Sequence, residues 1–584
     1  MRNKLTIGLL LLSLITACTS ENEVVQESGE STEVVNDTET LSNISVEYKK
    51  DELQMVFQDY ELIELNSTSI NYSGSSANID GSTITITKAG IYKLTGSLSD
   101  GMVIVNTSKE EDVVLILDNV DIHNEDGPAI SILQADKVIL NLVEGTNNTL
   151  SDGSNYTLIS GEDEPNATLY SKDDLSINGY GTLNIESNYN HGIYTKDDLK
   201  LISGTINVTS VNDGIKGKNY IAIKDASVSI SSNGDGLQSN NAEDSSKGFI
   251  LIEGGNITIQ SGLDGIQAET QLVVSDGELT ITSGLLANST ESGKSLKANS
   301  LVEITDGNLN LISESDDTIH SNRTVLIKGG SITLSAYDDA IHSDDLLQID
   351  AGIIQITQSY EGLEGNNIII NGGDIEINAS DDGINTAGGN DGSGTMNNRN
   401  DMFANDGSSL TINGGTVIVN ANGDGLDSNG TITQNGGTVI VFGPTNSRDG
   451  AIDYNASYTL NNGILLATGS SGMAQNVSES KIYSFLVGTN TVQANTWISI
   501  VQNNTTLVSF KSPKAFQTIV YASNDLKSGT VQILSNTSVS SSEAIVFNST
   551  QVSGTELLSL NLSNLITTQN SGGSQTPGQR PTRP

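Results

Sequence analysis

Short runs in which apolar and polar residues alternate recur along most of the chain. Several follow a pair of glycines: GGNITI (254–259), GGSITL (329–334), GGDIEI (372–377), and GGTVIV at 414–419 and 436–441. Alternation with period two, rich in Ile, Val and Thr, predicts half-buried strands and not helices. A second landmark is an Asp-Gly-like pair with an aliphatic residue after it. That position runs Ile193, Ile215, Leu237, Ile266, Leu296, Ile319, Ile341, Leu363, Ile384, Leu426 and Ile452. The steps are 22, 22, 29, 30, 23, 22, 22, 21, 42 and 26 residues, a base period of 22 with insertions. A third short strand follows the Asp-Gly turn, as in LLQID (346–350) and NIIIN (367–371). Three strands and three turns per period predict one coil of a solenoid. The fold class expected is therefore all-β, a single-stranded parallel β-helix of about 22 residues per coil. A propeller blade needs a period of about 40 residues or more, and tandem calcium-roll nonapeptides are absent.

The repeat sets the domain limits. Residues 111–462 form the β-helix, flanked by strand-rich but out-of-phase segments at 48–110 and 463–568, which suit the caps that a solenoid needs. Residues 1–17 read as a secretory signal: a basic start, the apolar run LTIGLLLLSLI, then Ala17 before Cys18. Cys18 fits a lipobox, so lipid attachment there is expected, on the extracellular side of a bacterial membrane. Residues 18–47 carry acids without Lys or Arg and read as a tether, and 569–584 as a loose tail. Cys18 is the only cysteine, so no disulfide supports the body.

Stacking in register turns repeated residues into columns. Two places before the aliphatic residue stand His191, Asp213, Asp235, Asp264, Lys294, Asp317, Asp339, Glu361, Asp382 and Asp424. Asp before Gly is ordinary turn chemistry, with the carboxylate accepting backbone N–H groups and Gly taking positive φ. One place after it stand Tyr194, Lys216, Gln238, Gln267, Lys297, His320, His342, Glu364, Asn385, Asp427 and Asp453. If the aliphatic residue points inward, these point outward and form a solvent-facing polar stripe on which a long ligand could lie. Tyr189, Tyr194, Lys216, His320, His342 and Asn385 are the candidate carbohydrate contacts on it.

One block is dense in acid: Asp316, Asp317, Asp338, Asp339, Glu361, Glu364, Asp381 and Asp382. Stacked carboxylates about 4.8 Å apart repel by roughly 0.9 kcal/mol even in water. So many hard oxygen donors suit Ca²⁺, which takes about 6–8 of them. His320 and His342 stack beside these acids. A transition-metal site is conceivable there, but two imidazoles lack a third firm ligand. Tyr337 and Tyr360 fall one step out of register with the columns.

The charge changes the picture of the partner. With 27 basic and 71 acidic residues the net charge is −44, which leaves no basic stripe for nucleic acid.

Several stretches resemble a family of secreted bacterial carbohydrate-binding domain-containing proteins. They are TITITKAGIYKLTGSLSDGMVIV (83–105), DGPAISI (126–132), PNATLYSKDDLSINGYGTLNI (165–185), NDGIKGKNYIAIK (212–224), LDGIQAET (263–270) and DDGINTAGGNDGSG (381–394). The resemblance implies a right-handed, pectate-lyase-like parallel β-helix with bound Ca²⁺ that attaches to plant-type polysaccharides such as cellulose and polygalacturonate. It departs at Lys294, where the family has Asp, so a cation site spanning that coil is in doubt. The expected protein is a monomeric, lipid-anchored polysaccharide binder that uses Ca²⁺. The alternatives are a Ca²⁺-dependent polysaccharide lyase, with Lys216, Lys218, Lys297 or Arg323 as base, and a structural adhesin stalk. A pectin-type hydrolase fits poorly, because Arg-Ile-Lys is absent and the only His-Gly pair (191–192) precedes the Asp-Asp coils at 316–317, 338–339 and 381–382.

Overall fold

A computed structural model describes residues 44–158, 164–286, 292–386, 405, 407–539, 541–548 and 552–569. The 1–17 segment, Cys18, the tether as far as residue 43, most of the 386–408 insertion and the tail from 570 lie outside the described residues. Every regular element described is a strand, and no helix occurs among these residues.

Most of the strands form one large, mostly parallel sheet. In its repeating part each strand pairs in parallel with its counterpart one repeat away, giving three ladders. In the first, Ile193, Ile215, Leu237, Ile266, Leu296, Ile319, Ile341, Leu363, Ile384, Leu426 and Ile452 are successive Cα partners. None of them is more than 1% exposed. A second ladder stacks Leu199, Ile221, Ile250 and Leu272, and the Gly-Gly strands stack Ile206, Val228, Ile257 and Leu279. The three aliphatic columns meet in one core. Burying each such side chain contributes about 1.5–3 kcal/mol, which suffices to hold a stack without disulfides.

The ends break this pattern. Ala77–Asp80 pairs antiparallel with Thr83–Ile86, but Thr83–Ile86 already stacks in parallel on Met102–Asn106. At the other end Ile464–Gly469 pairs antiparallel with Phe516–Ala522, and a five-stranded antiparallel sheet spans 497–562 over its own core. Residues 44–58 form a strap over the outward polar groups of the second ladder. Along it, Asp51 pairs with Lys137 at 2.8 Å, Glu52 accepts from Ser176 at 2.7 Å and Lys200 at 3.0 Å, and Lys200 also reaches Glu47 O at 2.9 Å. Asn178 donates to Glu52 O at 2.7 Å. Tyr48 bonds Glu253 further along the ladder. Burial alone would raise the Glu52 carboxyl, but Ser176, the Lys49 N–H and Lys200 outweigh it and hold it low.

The glycine of the Asp-Gly turn corrects the sequence reading. Gly236, Gly265, Gly383 and Gly425 have no positive φ; that conformation belongs to the Gly-Gly turns, as at Gly255 (91°) and Gly373 (94°). The Asp-Gly glycines are needed for close approach instead. A Cβ on Gly383 would lie 2.1 Å from Val419 Cγ1 and 2.6 Å from Gly425 O. Gly383→Ala should therefore cost about 1–3 kcal/mol by overpacking, measured by guanidinium denaturation. Ala340 and Thr318 occupy the same place in other repeats, so the cost is set by Val419 rather than by the turn.

Candidate functional site

The column carboxylates divide their labour between two oxygens. Oδ1 of Asp213, Asp235, Asp264, Asp317, Asp339 and Asp382 each accepts the backbone N–H of the matching residue one repeat on, at 3.0, 3.0, 2.7, 3.1, 3.2 and 2.6 Å. These charge-assisted bonds clip successive turns together. Oδ2 faces the outward column. It meets Lys216 at 3.4 Å from Asp213, Lys297 at 2.9 Å from Asp264, His320 at 2.8 Å from Asp317 and His342 at 3.3 Å from Asp339. The amines offered by a lyase reading at Lys216 and Lys297 are thus held by carboxylates.

That pairing closes part of the expected solvent-facing stripe, while Lys216, Gln238, Gln267, Lys297, Glu364, Asp427 and Asp453 stay half-buried. His342 is 0% exposed, His320 6%, Asn385 7% and Tyr194 8%. These side chains lie outside the apolar core as expected, but they close over one another in a polar layer. Tyr194 packs edge-on against the buried Tyr170, with centroids 5.9 Å apart and the Lys216 ammonium 5.8 Å from its ring. Tyr189 stacks flat on Tyr156 at 4.1 Å. None of the four most buried residues offers a face to a glycan. Beside the acid column, on neighbouring turns, two aromatics are open to solvent: Tyr337, 71% exposed, and Tyr360, 44% exposed. Their offset from the register keeps them out of the packed layer: the Tyr360 N–H donates to Asp338 O, and the Asp381 N–H to Tyr360 O. The Tyr360 hydroxyl donates to Asp381, which raises it well above the usual phenol range.

The eight acids of the dense block do not converge on one point. One oxygen each of Asp316, Asp317 and Asp338 cluster within 4.8 Å, but the Lys294 ammonium lies 2.6 Å from Asp316 and 3.5 Å from Asp317. The residue that departs from the Asp column thus supplies a tethered cation in place of an ion. Burial would lower that ammonium, yet Asp317 and Asp316 outweigh it and hold it above the ordinary lysine range. Asp339 and Glu364 surround His342. Burial pulls its imidazole down, but hydrogen bonds to Asp339 and Glu364 and their charges push it up to about 12. Glu361 is driven by burial, and then by Asp339, Glu364 and Asp382, up to about 10, and it accepts from Asn385 Nδ2 at 2.8 Å.

The next turns are different. One oxygen each of Asp382, Asp424 and Asp427 lie within 4.8 Å of one another. Burial, then Asp427 and Asp381, pushes Asp382 up to about 8. Burial, then Asp382 and Asp453, pushes Asp424 up to about 8, against a backbone hydrogen bond from Gly450. The charged side chains that act most strongly on these two groups are carboxylates. Asn385, the register partner of Asp427, keeps a buried Oδ1 without a hydrogen-bond partner among the described residues. Crowded carboxylate and amide oxygens fit a hard divalent cation. Asp424 and Asp427 stood in the sequence columns, but the 42-residue step hid their adjacency to Asp382.

A further acidic trio, Asp174, Asp197 and Asp198, lies at the start of the second ladder. Burial, then Asp198 and Asp197, pushes Asp174 up to about 7. A carboxyl raised on folding gives its full stability below its unfolded pKa of about 3.9 and loses it as pH rises through about 7. Asp174→Asn should therefore melt above wild type at pH 8, and the gap should close by pH 4, in thermal scans across that range.

Comparison with known proteins adds the following. A family model described as carbohydrate-binding domain-containing protein matches residues 80–339 and 333–555. A curated protein of that description from Acetivibrio thermocellus is 40% identical over 137 residues, which are 22% of this chain and 48% of that protein, so the chain spans about half of its length. A solved polysaccharide lyase-like protein from C. thermocellum, as a gadolinium derivative, is 31% identical, with 42% of this chain and 97% of that one covered and a TM-score of 0.40.

Proposed function

Because the chain belongs to the carbohydrate-binding domain-containing protein family, we propose that it binds polysaccharide outside the cell, with Ca²⁺ at the binding face. In this reading the parallel ladders wind as a right-handed β-helix. Cys18 carries a lipid that holds the protein on the extracellular side of a bacterial membrane. The glycan lies along the edge marked by Tyr337 and Tyr360, where exposed rings can stack on sugar faces. Asp382, Asp424, Asp427 and Asn385 would hold the Ca²⁺. When bound, the ion supplies positive charge on an otherwise acidic face, which lets a protein of net charge −44 meet a uronate-bearing chain such as pectin, or a neutral one such as cellulose.

The observation that carries this reading is the pairing of exposed aromatics with the all-oxygen cluster of Asp382, Asp424, Asp427 and Asn385 on adjoining turns. The lyase reading asks for an amine as base, and no observation favours one. The test is retention of the full chain on insoluble cellulose and on cross-linked polygalacturonate, with Ca²⁺ and with chelator. Tyr337→Ala and Tyr360→Ala should each weaken binding by about 0.5–1.5 kcal/mol. Asp382→Asn with Asp424→Asn should remove the dependence on Ca²⁺. Equal retention by wild type and both tyrosine variants would refute the face, and retention indifferent to chelator would refute the role of the ion.

A further inference from the structure

The two stacked histidines are held alike. His320 Nε2 lies 2.9 Å from Asn322 Oδ1, and His342 Nε2 lies 3.2 Å from Asp344 Oδ1. In each, an acceptor two residues on fixes one ring nitrogen and turns Nδ1 toward the acid column. His320 Nδ1 then meets Asp317 Oδ2 at 2.8 Å. His342 Nδ1 meets Glu364 Oε2 at 2.8 Å, Asp339 Oδ2 at 3.3 Å and Asp317 Oδ2 at 4.0 Å. The rings are direct register partners, with centroids 4.9 Å apart. Asp317, His320 and His342 each place one ligand atom within 4.8 Å of the others, as do Asp339, His342 and Glu364.

We propose that His320, His342, Asp317 and Glu364, with Asp339 as a further oxygen donor, form a binding site for a divalent transition metal of the Zn²⁺ class. A mixed set of imidazole nitrogens and carboxylate oxygens selects such ions over Ca²⁺ and Mg²⁺, which take oxygen alone. The third ligand missing from the sequence comes from stacking: Glu364 arrives from the following repeat, and Asp317 lies between the two histidines. A tetrahedral ion with bonds of about 2.0–2.1 Å holds neighbouring donors about 3.3 Å apart. The contacts from 2.8 to 4.0 Å bracket that spacing. Asn322 and Asp344 stand where a metal-bound imidazole has its outer hydrogen-bond acceptor, which fixes tautomer and ring plane. The side chain of Asp344 is 43% exposed and marks the way in from solvent. This site is separate in donor chemistry from the all-oxygen group at Asp382, and it stands whether or not the chain binds glycan.

The test uses the full chain stripped with chelator and titrated with Co²⁺, read by visible absorption, in the presence of millimolar Ca²⁺. Wild type should take up Co²⁺ with the intense absorption of a low-symmetry nitrogen–oxygen site, undisturbed by the Ca²⁺. His320→Gln and His342→Gln should lose it, whereas His123→Gln should not. Asn322→Ala should weaken it roughly 10- to 100-fold. X-ray absorption at the zinc edge of Zn²⁺-loaded wild type should show two imidazoles, a reading independent of whether the variants fold. No Co²⁺ uptake by wild type, a zinc shell without imidazole, or uptake kept in both histidine variants would overturn the proposal.

Discussion

Replacing Lys294 by alanine is expected to lower the stability of the stack by about 3–5 kcal/mol, the usual cost of removing one partner from a buried ion pair. The Lys294 side chain is 11% exposed, and its loss leaves Asp316 and the nearly inaccessible Asp317 facing Asp338 without that ammonium. The measurement is guanidinium unfolding at neutral pH. Because the Lys294 ammonium is held above the ordinary lysine range, its contribution is complete below that range and is lost only as pH rises through the folded value. The wild-type advantage should therefore persist unchanged from pH 6 to 9. Millimolar Ca²⁺ should stabilise Lys294→Ala more than wild type, since only the variant lacks the ammonium that sits against the Asp316, Asp317 and Asp338 oxygens. A variant as stable as wild type would show that Asp316 and Asp317 need no counter-charge.

The second large effect is expected in the core. Leu363 is fully buried between its register partners Ile341 and Ile384. Leu363→Ala removes that contact and leaves a cavity on both sides, at a cost of about 2–5 kcal/mol. Because neighbours alone support each repeat, the damage should be local. Amide hydrogen exchange should rise first in the strands at Ile341–Ile349 and Leu363–Ile370, well before strands at Thr205–Ser210 respond.

The period and register were legible because they rest on one residue type at one place. An aliphatic residue after an Asp-Gly-like pair can stack only on its like, so counting from Ile193 to Ile452 assigns every partner in that ladder. The surroundings of the outward column were not legible. Whether His342 faces water depends on Asp339 and Glu364 reaching it from two different turns, and no spacing within one strand records that. The Asp-Gly glycines misled for a related reason: their need is set by branched methyls on another strand, Val419 for Gly383 and Ile259 for Gly236, and not by the local turn. Lys294 was visible as the one basic residue in an acidic column, and the structure gives that oddity a partner on the next turn. Tyr337 and Tyr360 were visible as misfits to the register, and being misfits is what leaves their rings open.

The strap of residues 44–58 has a mechanical consequence. It is fastened sideways at Lys137, Ser176, Lys200 and Glu253, and so grips several turns at once instead of joining the first turn end-on. Tension entering through the residues ahead of it would be shared among those fastenings in shear. The stack would be tugged at its flank, and its terminal strands would be spared from being peeled off one by one.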